Sequence, residues 1–315
     1  MGRNKGLKGV ALTTISAIMF GTMPLFAIML RSGGMYLIPS IATRFCIGTL
    51  FYGFLILVKG KKKGLRLKKR VFFRLIITAL LFSSTSLFLF ISYARIPSGL
   101  ATVIHFTYPV IITIFSVKAG RDRLTSFLLV AILCSFCGIL LVTDPFNAQF
   151  DIWGVVSAFV SAIVFALYTF LINDNDLKQI DNTAFVFYNS GISFIVLLII
   201  TFIQILSGTS TSQLLGTFSF KVLYGMLGTG IFCAVAVAFF AIGVKDIGGP
   251  VGGALSAFEP LTAVLIGVLF FKETVAPYFG LGVILILSST LILSFSSIIK
   301  LDKRKFKSKE ENYIA

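Results

Sequence analysis

Long apolar stretches separated by short polar segments dominate the pattern of this 315-residue chain. Each stretch is about 20 residues long, the length that a helix needs to cross the hydrocarbon core of a bilayer. The pattern predicts about ten such helices, at residues 9–30, 36–58, 71–93, 99–118, 124–142, 152–172, 184–206, 219–242, 250–271 and 275–299. Because the segments between them are short, no soluble domain fits apart from the tails.

Composition supports the same class of protein. Hydrophobic residues make up 57% of the chain, charged residues make up 13%, and the mean hydropathy is +0.98. Because a soluble domain of this size could not bury so much apolar surface, we predict an all-α integral membrane protein. The first apolar stretch is longer than the apolar region of a signal peptide and has no small-residue cleavage site after it, so we expect it to remain as a span.

Two parts of the chain resemble two others. Residues 98–142 align with residues 249–293 at a constant offset. A shorter echo joins residues 9–20 to residues 154–165. A membrane chain built from two related halves is typical of secondary transporters, which bind their solute between the halves.

The two copies are predicted to have opposite orientations in the membrane. Each contains five spans, an odd number, so the second copy enters the membrane from the other side, and Asp122 and its repeat partner Glu273 fall on opposite faces. The predicted fold is therefore ten transmembrane helices as two inverted five-helix repeats. A tail, the first repeat, a linker, the second repeat and a basic tail are expected at residues 1–8, 9–142, 143–151, 152–299 and 300–315.

Charge predicts how the spans are oriented. The chain has 28 basic and 12 acidic residues, a net charge of +16, and nine basic residues without an acid lie between Lys59 and Arg74. Other basic clusters lie near the N-terminus, at residues 118–123 and at residues 300–309. All of these fall on one side, which the positive-inside rule assigns to the cytoplasmic face of a plasma membrane, together with both termini. Because no aromatic residues are interleaved with the basic clusters, nucleic acid is not expected as a partner.

Six short motifs follow one another along the chain: Phe20-Gly21 with Pro24, Arg44-Phe45, Tyr108-Pro109, Arg121-Asp122, Glu259-Pro260 and Lys272-Glu273. In this order they resemble the drug/metabolite transporter superfamily, in its EamA-like branch of ten-span bacterial carriers. The chain departs from the family at Asp122, where Gly-Glu is the commoner pair, and at Phe20, where Trp is commoner. The resemblance covers nearly the whole chain. It implies two five-helix bundles around a central cavity, and export or exchange of small metabolites.

Three ionisable side chains, Arg44, His105 and Glu259, lie within the predicted spans. Such groups are costly inside a bilayer and usually mark a functional site. His105, the only histidine, could bind substrate or relay a proton, because imidazole titrates near neutral pH. The alternative is a packed histidine that bonds a neighbouring hydroxyl such as Thr102 or Thr107.

The acid and the arginine also allow two interpretations each. Glu259 could couple protons or bind a cationic group, or it could be a structural carboxyl that is neutral or paired with Arg44 or a hydroxyl. Arg44 could attract an anionic substrate, or it could extend to the membrane interface or pair with carbonyls. Because Pro260 removes a backbone donor, we expect a local break beside Glu259. Pro24 and Pro109 are expected to kink their spans.

Five further side chains complete the predicted substrate-binding site: Phe20, Tyr93, Tyr108, Tyr168 and Asn189. Aromatic rings with a polar handle suit amphipathic metabolites. Rings at helical spacing also serve packing, so both interpretations stay open from the sequence alone.

Other motifs argue against other chemistry. Cys134 and Cys137 have the spacing of a metal or redox pair, but no histidine or second pair lies near, so packing is expected instead. No glycine-rich phosphate loop occurs, so direct coupling to ATP is not expected, and neither is a cofactor.

The sequence thus predicts a secondary transporter, not an enzyme, for a small organic molecule such as an amino acid, amine, carboxylate or drug-like compound. Export is the expected direction. A lipid or lipid-precursor translocase of the same architecture is the alternative. An intramembrane enzyme fits less well, because one histidine and one mid-span acid do not form a catalytic cluster. Coupling to protons and assembly as a homodimer are left open.

Overall fold

The computed structural model describes most of the membrane-embedded part of the chain. Asp122, most of the basic segment after Val58 and the C-terminal tail lie outside the described residues. The described residues are 2–58, 67–120, 125–143, 151–172, 177, 179–208, 219–247 and 249–295.

Helices account for the regular structure of these residues. Nine helical segments are long and apolar enough to cross a membrane, and a shorter apolar helix follows them, which agrees with the predicted all-α fold of ten spans. The helices are α1 (Gly2–Gly21), α2 (Met23–Ser32), α3 (Leu37–Val58), α4 (Lys69–Tyr93), α5 (Ser98–His105), α6 (Tyr108–Lys118), α7 (Ser126–Thr143), α8 (Ile152–Ile172), α9 (Asn182–Leu206), α10 (Phe220–Ile247), α11 (Gly249–Leu255), α12 (Phe258–Phe271) and α13 (Phe279–Phe295).

Three spans are built from two helices each, namely α1 with α2, α5 with α6, and α11 with α12. In each case a proline lies in the first turn of the second helix, at Pro24, Pro109 and Pro260. A proline fits there because the first turn of a helix leaves its N–H groups unbonded in any case. The breaks that the prolines predict are therefore present.

The first five spans pack crosswise against the last five. The first span of each half lies along the third span of the other half: α1 and α2 along α10, and α8 along α4. The two second spans, α3 and α9, pack on each other, and each also contacts the third span of the opposite half. This exchange of partners is the pattern expected of two inverted repeats related by a pseudo-two-fold axis.

Glycines allow the backbones of the crossed helices to approach closely. A Cβ added at Gly243 of α10 would lie 2.9 Å from the carbonyl oxygen of Gly9 on α1. A Cβ added at Gly138 of α7 would lie 2.8 Å from the carbonyl oxygen of Gly282 on α13. Small residues at such crossings are the usual basis of helix packing inside membranes.

The pseudo-symmetry is broken at one pair of helices. By the repeat offset, α5 corresponds to α11 and α6 corresponds to α12. Helix α5 packs closely against α12, whereas over the described residues the equivalent pair, α6 and α11, does not pack together. Every residue of α6 from Ile111 to Val117 is accordingly half-buried. We call the end where α5 meets α12, opposite the start of α1, the closed end, and the other the open end.

Candidate binding site between the two halves

His105 joins the two halves. It is the last residue of α5, it is buried, and its Nδ1 lies 2.6 Å from the Oγ of Ser161 on α8. The hydroxyl partner expected of a packed histidine is therefore present, but Thr102 and Thr107, the examples named for it, are wrong. Thr102 bonds within its own half and, among the described residues, the hydroxyl of Thr107 has no partner.

Ser161 was missed from the sequence, and its bond has no counterpart in the other half. Its repeat partner Ser16 donates to the carbonyl oxygen of Ala236 at 2.7 Å. The repeat partner of His105 is Ser256, which donates to a carbonyl of its own helix. The link between histidine and serine is therefore a specific feature and not a product of the duplication.

A row of aromatic rings runs from His105 across the interface between the halves. It passes from α6 through α8 and α4 to α3, so it crosses from the fourth span to the second span of the first half by way of the second half. We call it the aromatic row; its ring centroids lie 4.7 Å apart for Tyr108 and Phe165, 5.8 Å for Phe165 and Tyr168, 5.0 Å for Tyr168 and Phe82, and 5.5 Å for Phe82 and Phe45.

Arg44 lies at the far end of the aromatic row. It is only 9% exposed, and its guanidinium carbon lies 5.8 Å from the ring centroids of both Phe45 and Phe82. Its Nε donates to the Sγ of Cys233 on α10 at 3.2 Å. The expectation that it reaches the membrane interface or pairs with carbonyls is wrong, because the side chain stays inside and bonds a thiol.

A small cavity lies beside Arg44, between α3, α4, α9 and α10. The volume of this cavity, measured as the space open to the centres of water molecules, is about 20 Å³. Since roughly 10–15 Å³ holds one water molecule, the cavity as it stands is about the size of one or two waters. Tyr52, Phe82, Ser190 and Cys233 are among the side chains that line it. It therefore draws its walls from both halves.

Glu259 is half-buried in the first turn of α12, opposite α1. A Cβ added at Gly21 of α1 would lie 2.5 Å from the carbonyl oxygen of Glu259, so α1 passes directly over the break. The carboxyl lies within Coulombic range of Arg44, Tyr93 and Tyr108. It forms neither a hydrogen bond nor an ion pair with any described side chain, so the expected pairing with Arg44 or a hydroxyl is wrong.

Of the remaining predicted site residues, some lie near the aromatic row or the cavity and others do not. The hydroxyl of Tyr93 lies 3.2 Å from that of Thr102, behind the aromatic row. Asn189 is buried on α9 next to the cavity-lining Ser190, and its Oδ1 has no partner in the described part of the chain. Phe20 is half-buried on α1 and joins none of the ring contacts of the row. The structure thus brings His105, Tyr108, Tyr168 and Arg44 into one connected row, with Glu259 and Tyr93 beside it.

The closed end is held by a carboxylate that the sequence analysis did not assign to any role. Glu273, in the loop after α12, accepts hydrogen bonds from the N–H and Oγ of Ser98 at 2.8 Å each and from the N–H of Gly99 at 3.3 Å. Lys272 before it adopts a left-handed conformation with φ of 54°, which ends α12 and turns the chain back. An acid of one half therefore caps a helix of the other.

A second acid acts at the same end. Asp151 accepts from the N–H groups of Trp153 and Gly154 at the start of α8, at 2.9 and 3.1 Å, and pairs with Arg95 at 3.3 Å. These bonds, from Gly154 first and then from Arg95, hold the pKa of Asp151 below its usual range. Because Arg95 follows α4, this pair also joins the two halves.

Comparison with known proteins identifies both halves. The model of the EamA-like transporter family matches residues 7–144 and 152–295. Over 204 residues the chain is 28% identical to the uncharacterized inner membrane transporter YicL of Salmonella typhimurium, covering 62% of this chain and 64% of that protein. Over 155 residues it is 33% identical to the uncharacterized transporter YwfM of Bacillus subtilis, covering 49% of this chain and 50% of that protein.

The fold also matches experiment. A solved crystal structure is similar over 94% of this chain and 97% of that chain, with a TM-score of 0.62 at 17% identity. At that identity the likeness shows the fold alone. The chain thus spans about half to two thirds of the two relatives above, and nearly all of this structure.

Proposed function

The chain belongs to the EamA-like transporter family, and on that premise we propose that it is a secondary transporter that exports a small organic solute by alternating access. Family and relatives support the coarser statement that it is a multi-pass membrane transporter. The solute, the direction and the mechanism belong to the proposal.

The observation that carries the proposal is the broken symmetry of the fourth and ninth spans. Helices α5 and α12 pack together, whereas their repeat equivalents α11 and α6 do not. In an inverted repeat, exchanging these two arrangements yields a second conformation of similar energy with the opposite end open. A carrier needs two such conformations.

The proposed solute path runs along the aromatic row. Arg44, His105 and Glu259 supply the polar groups there, and His105 and Glu259 are the groups suited to proton coupling. The side chains proposed to border the path with them are Phe20, Tyr93, Tyr108, Tyr168 and Asn189. The division into repeats at residues 9–142 and 152–299 is part of the same proposal.

The basic segments support an orientation with both termini in the cytoplasm of a plasma-membrane protein. In that orientation the open end faces the cytoplasm and the closed end faces outward. An exporter binds its solute from the cytoplasm, so this is the conformation in which loading would take place.

Exchange across proteoliposomes tests the proposal. Vesicles with purified protein are loaded with a labelled panel of amino acids, amines and carboxylates, and release is followed with and without the same unlabelled solute outside, at several pH gradients. We expect saturable release of one class, accelerated by solute on the far side. If the panel leaks no faster than from empty vesicles while a fluorescent phospholipid is scrambled, the lipid translocase replaces the solute carrier.

A further inference from the structure

Arg44 carries a buried positive charge, and no carboxylate of the described residues forms an ion pair with it. We infer that the transported solute is an organic carboxylate, and that its carboxylate group binds the guanidinium of Arg44 in the cavity between α3, α9 and α10. This inference rests on the proposed function and names the substrate class of that site.

The buried charge of Arg44 needs a partner. Arginine stays protonated inside proteins, and a buried ion costs several kcal/mol unless a partner compensates it. Arg44 is 9% exposed, and no carboxylate of the described residues lies within the 4.0 Å that defines an ion pair. The Sγ of Cys233 takes one of its five N–H groups, and two phenyl rings cover part of the guanidinium. Glu259 acts on Arg44 only from beyond ion-pair distance, so among the described residues the site lacks a carboxylate in contact with the guanidinium.

Several polar atoms at the cavity have no hydrogen-bond partner among the described residues. The Nη1 and Nη2 groups of Arg44 have no partner in the described part of the chain, and neither has the hydroxyl of Ser190. The hydroxyl of Tyr52 already donates its proton to the carbonyl oxygen of Ala234 at 3.0 Å. The guanidinium groups can only donate and the serine hydroxyl can donate as well as accept, a set that suits an acceptor with negative charge.

The charge and the planar shape of the guanidinium favour a carboxylate over a phosphate as the bound group. One guanidinium balances one negative charge, and its planar fork matches the two oxygens of a carboxylate. A phosphate with a second charge would leave that charge buried without a partner, because Arg44 is the one cationic side chain among the described residues that line the cavity. The other walls are apolar or aromatic, including Phe45, Phe82 and Val237, so they fit the body of an organic acid.

The volume of the cavity must increase before a solute can bind. A cavity for one or two waters is too small for an organic acid. Its walls come from α3 of the first half and from α9 and α10 of the second, so movement of one half against the other changes its volume. The aromatic row begins at Phe82 on the cavity wall and offers a surface on which an apolar body can stack. Binding of the carboxylate is therefore linked to the conformational change of the carrier.

Ligand-induced stabilisation in detergent tests the substrate class. The probes are 3-phenylpropanoate, its amide, the matching amine 3-phenylpropylamine, and inorganic phosphate. We expect the carboxylate alone to raise the melting temperature, Arg44→Gln to remove the effect, and the exposed control Arg31→Gln to retain it. Equal effects of acid and amide, a larger effect of phosphate, or a full effect in Arg44→Gln would overturn the inference.

Alkylation of the unaltered protein localises the site without any substitution. Cys233 lines the cavity, whereas Cys137 lies exposed on α7 and serves as the internal control. We expect 3-phenylpropanoate to slow the reaction of Cys233 with N-ethylmaleimide at least about threefold, and to leave Cys137 unchanged, as read by peptide mass spectrometry. If Cys233 stays unlabelled while Cys137 reacts, or if the amide protects equally, the assignment fails.

The two proposals fail in different ways. If amines or neutral solutes exchange across proteoliposomes and carboxylates neither exchange nor protect Cys233, the carrier stands and the carboxylate site falls. If carboxylates stabilise the protein through Arg44 but no solute crosses the membrane, the binding site stands and the carrier falls.

Discussion

At the scale of single residues, Glu273 acts as a helix cap from outside the helix that it caps. The residue before α5 is Pro97, which has no side-chain acceptor for the N–H groups of the first turn. The carboxylate of Glu273 takes that place, and the missing side chain of Gly267 leaves the room that it needs. The contact stabilises α5 and at the same time fastens the two halves at the closed end.

Replacing Glu273 should therefore weaken both α5 and the contact between the two halves at the closed end. We expect Glu273→Ala to lower the free energy of unfolding by about 0.5–2 kcal/mol, the range measured for the loss of a helix cap. Glu273→Gln should lose less, since its amide oxygen still accepts one bond. Thermal unfolding in detergent measures this, with the exposed neighbour Thr274→Ala as control. A Glu273→Ala protein as stable as the control would contradict the cap.

The left-handed conformation of Lys272 supports an opposite prediction. A side chain at φ of 54° is strained relative to glycine. We expect Lys272→Gly to raise the melting temperature, by an amount equivalent to about 0.5–1 kcal/mol after the greater flexibility of the unfolded chain is subtracted. A lower melting temperature for this variant would show that the lysine side chain itself holds the turn.

The bond between His105 and Ser161 can be tested by a double-mutant cycle. We expect His105→Ala to impair transport without loss of membrane insertion. Once His105 is gone, Ser161→Ala should impair transport little further, so the two residues should show a coupling energy of about 0.5–1.5 kcal/mol in the transport rate. Ser16→Ala is the matched control, because Ser16 is the repeat partner and bonds Ala236 instead. Its effect should be additive with that of His105→Ala. Additivity of Ser161→Ala as well would contradict a functional pair.

Residue types could be predicted better than residue contacts. Arg44, His105 and Glu259 stand out in the sequence because ionisable groups are rare in apolar spans. Their neighbours Ser161, Cys233 and Phe82 do not, because small polar and aromatic residues occur throughout such spans and span order does not encode which faces meet. The repeated Ser16 and Ser161 were the one available signal, but the repeat alone does not show which of them faces a histidine.

At the scale of helices, the breaks and the close crossings determine the shape of the site. The break before α12 places Glu259 in a first turn, and α1 passes over it at Gly21. A side chain at Gly21 would collide with the carbonyl of Glu259 and with Thr262. The glycine therefore keeps the first and ninth spans in contact where the proposed path runs.

A methyl group at Gly21 should be poorly tolerated. We expect Gly21→Ala to lower stability by about 1–3 kcal/mol, the usual cost of overpacking, and to reduce transport. Gly280→Ala is the control, because a Cβ there meets no atom within 4 Å and alanine favours the helix by up to about 1 kcal/mol. If both variants melt together with the unaltered protein, the crossing is looser than the structure shows.

The elements themselves were largely predictable. Apolar length identified the spans, and proline identified the breaks at Pro24, Pro109 and Pro260, because both properties are local. One start was less accurate: the tenth span was predicted to begin at residue 275, whereas α13 begins at Phe279. The left-handed Lys272 ends α12, and Glu273 after it bonds the start of α5, a contact that the sequence does not display.

At the scale of the whole molecule, two related halves adopt the same crossed arrangement except at one pair of helices. The repeat and the odd number of spans predicted the inversion. They could not predict which pair is packed, because α5 with α12 and α11 with α6 are equivalent in the duplicated pattern. Glu273 with Ser98, and Asp151 with Arg95, stabilise the closed end in the structure. Transport by this account requires these contacts to part.

A reversible cross-link at the closed end tests that requirement most directly. A Cβ at Gly99 would lie 3.4 Å from the Cβ of Val264, just under the usual separation in a disulfide, and 2.8 Å from its Cα, so α5 and α12 must move slightly apart to hold a cross-link there. Cysteines at these two positions, in a chain whose native cysteines are replaced, should form a disulfide between α5 and α12. The measurement is solute exchange in proteoliposomes before and after reduction. The account predicts no exchange when the disulfide is formed and recovery when it is reduced; undiminished exchange in the fully oxidised protein would contradict it.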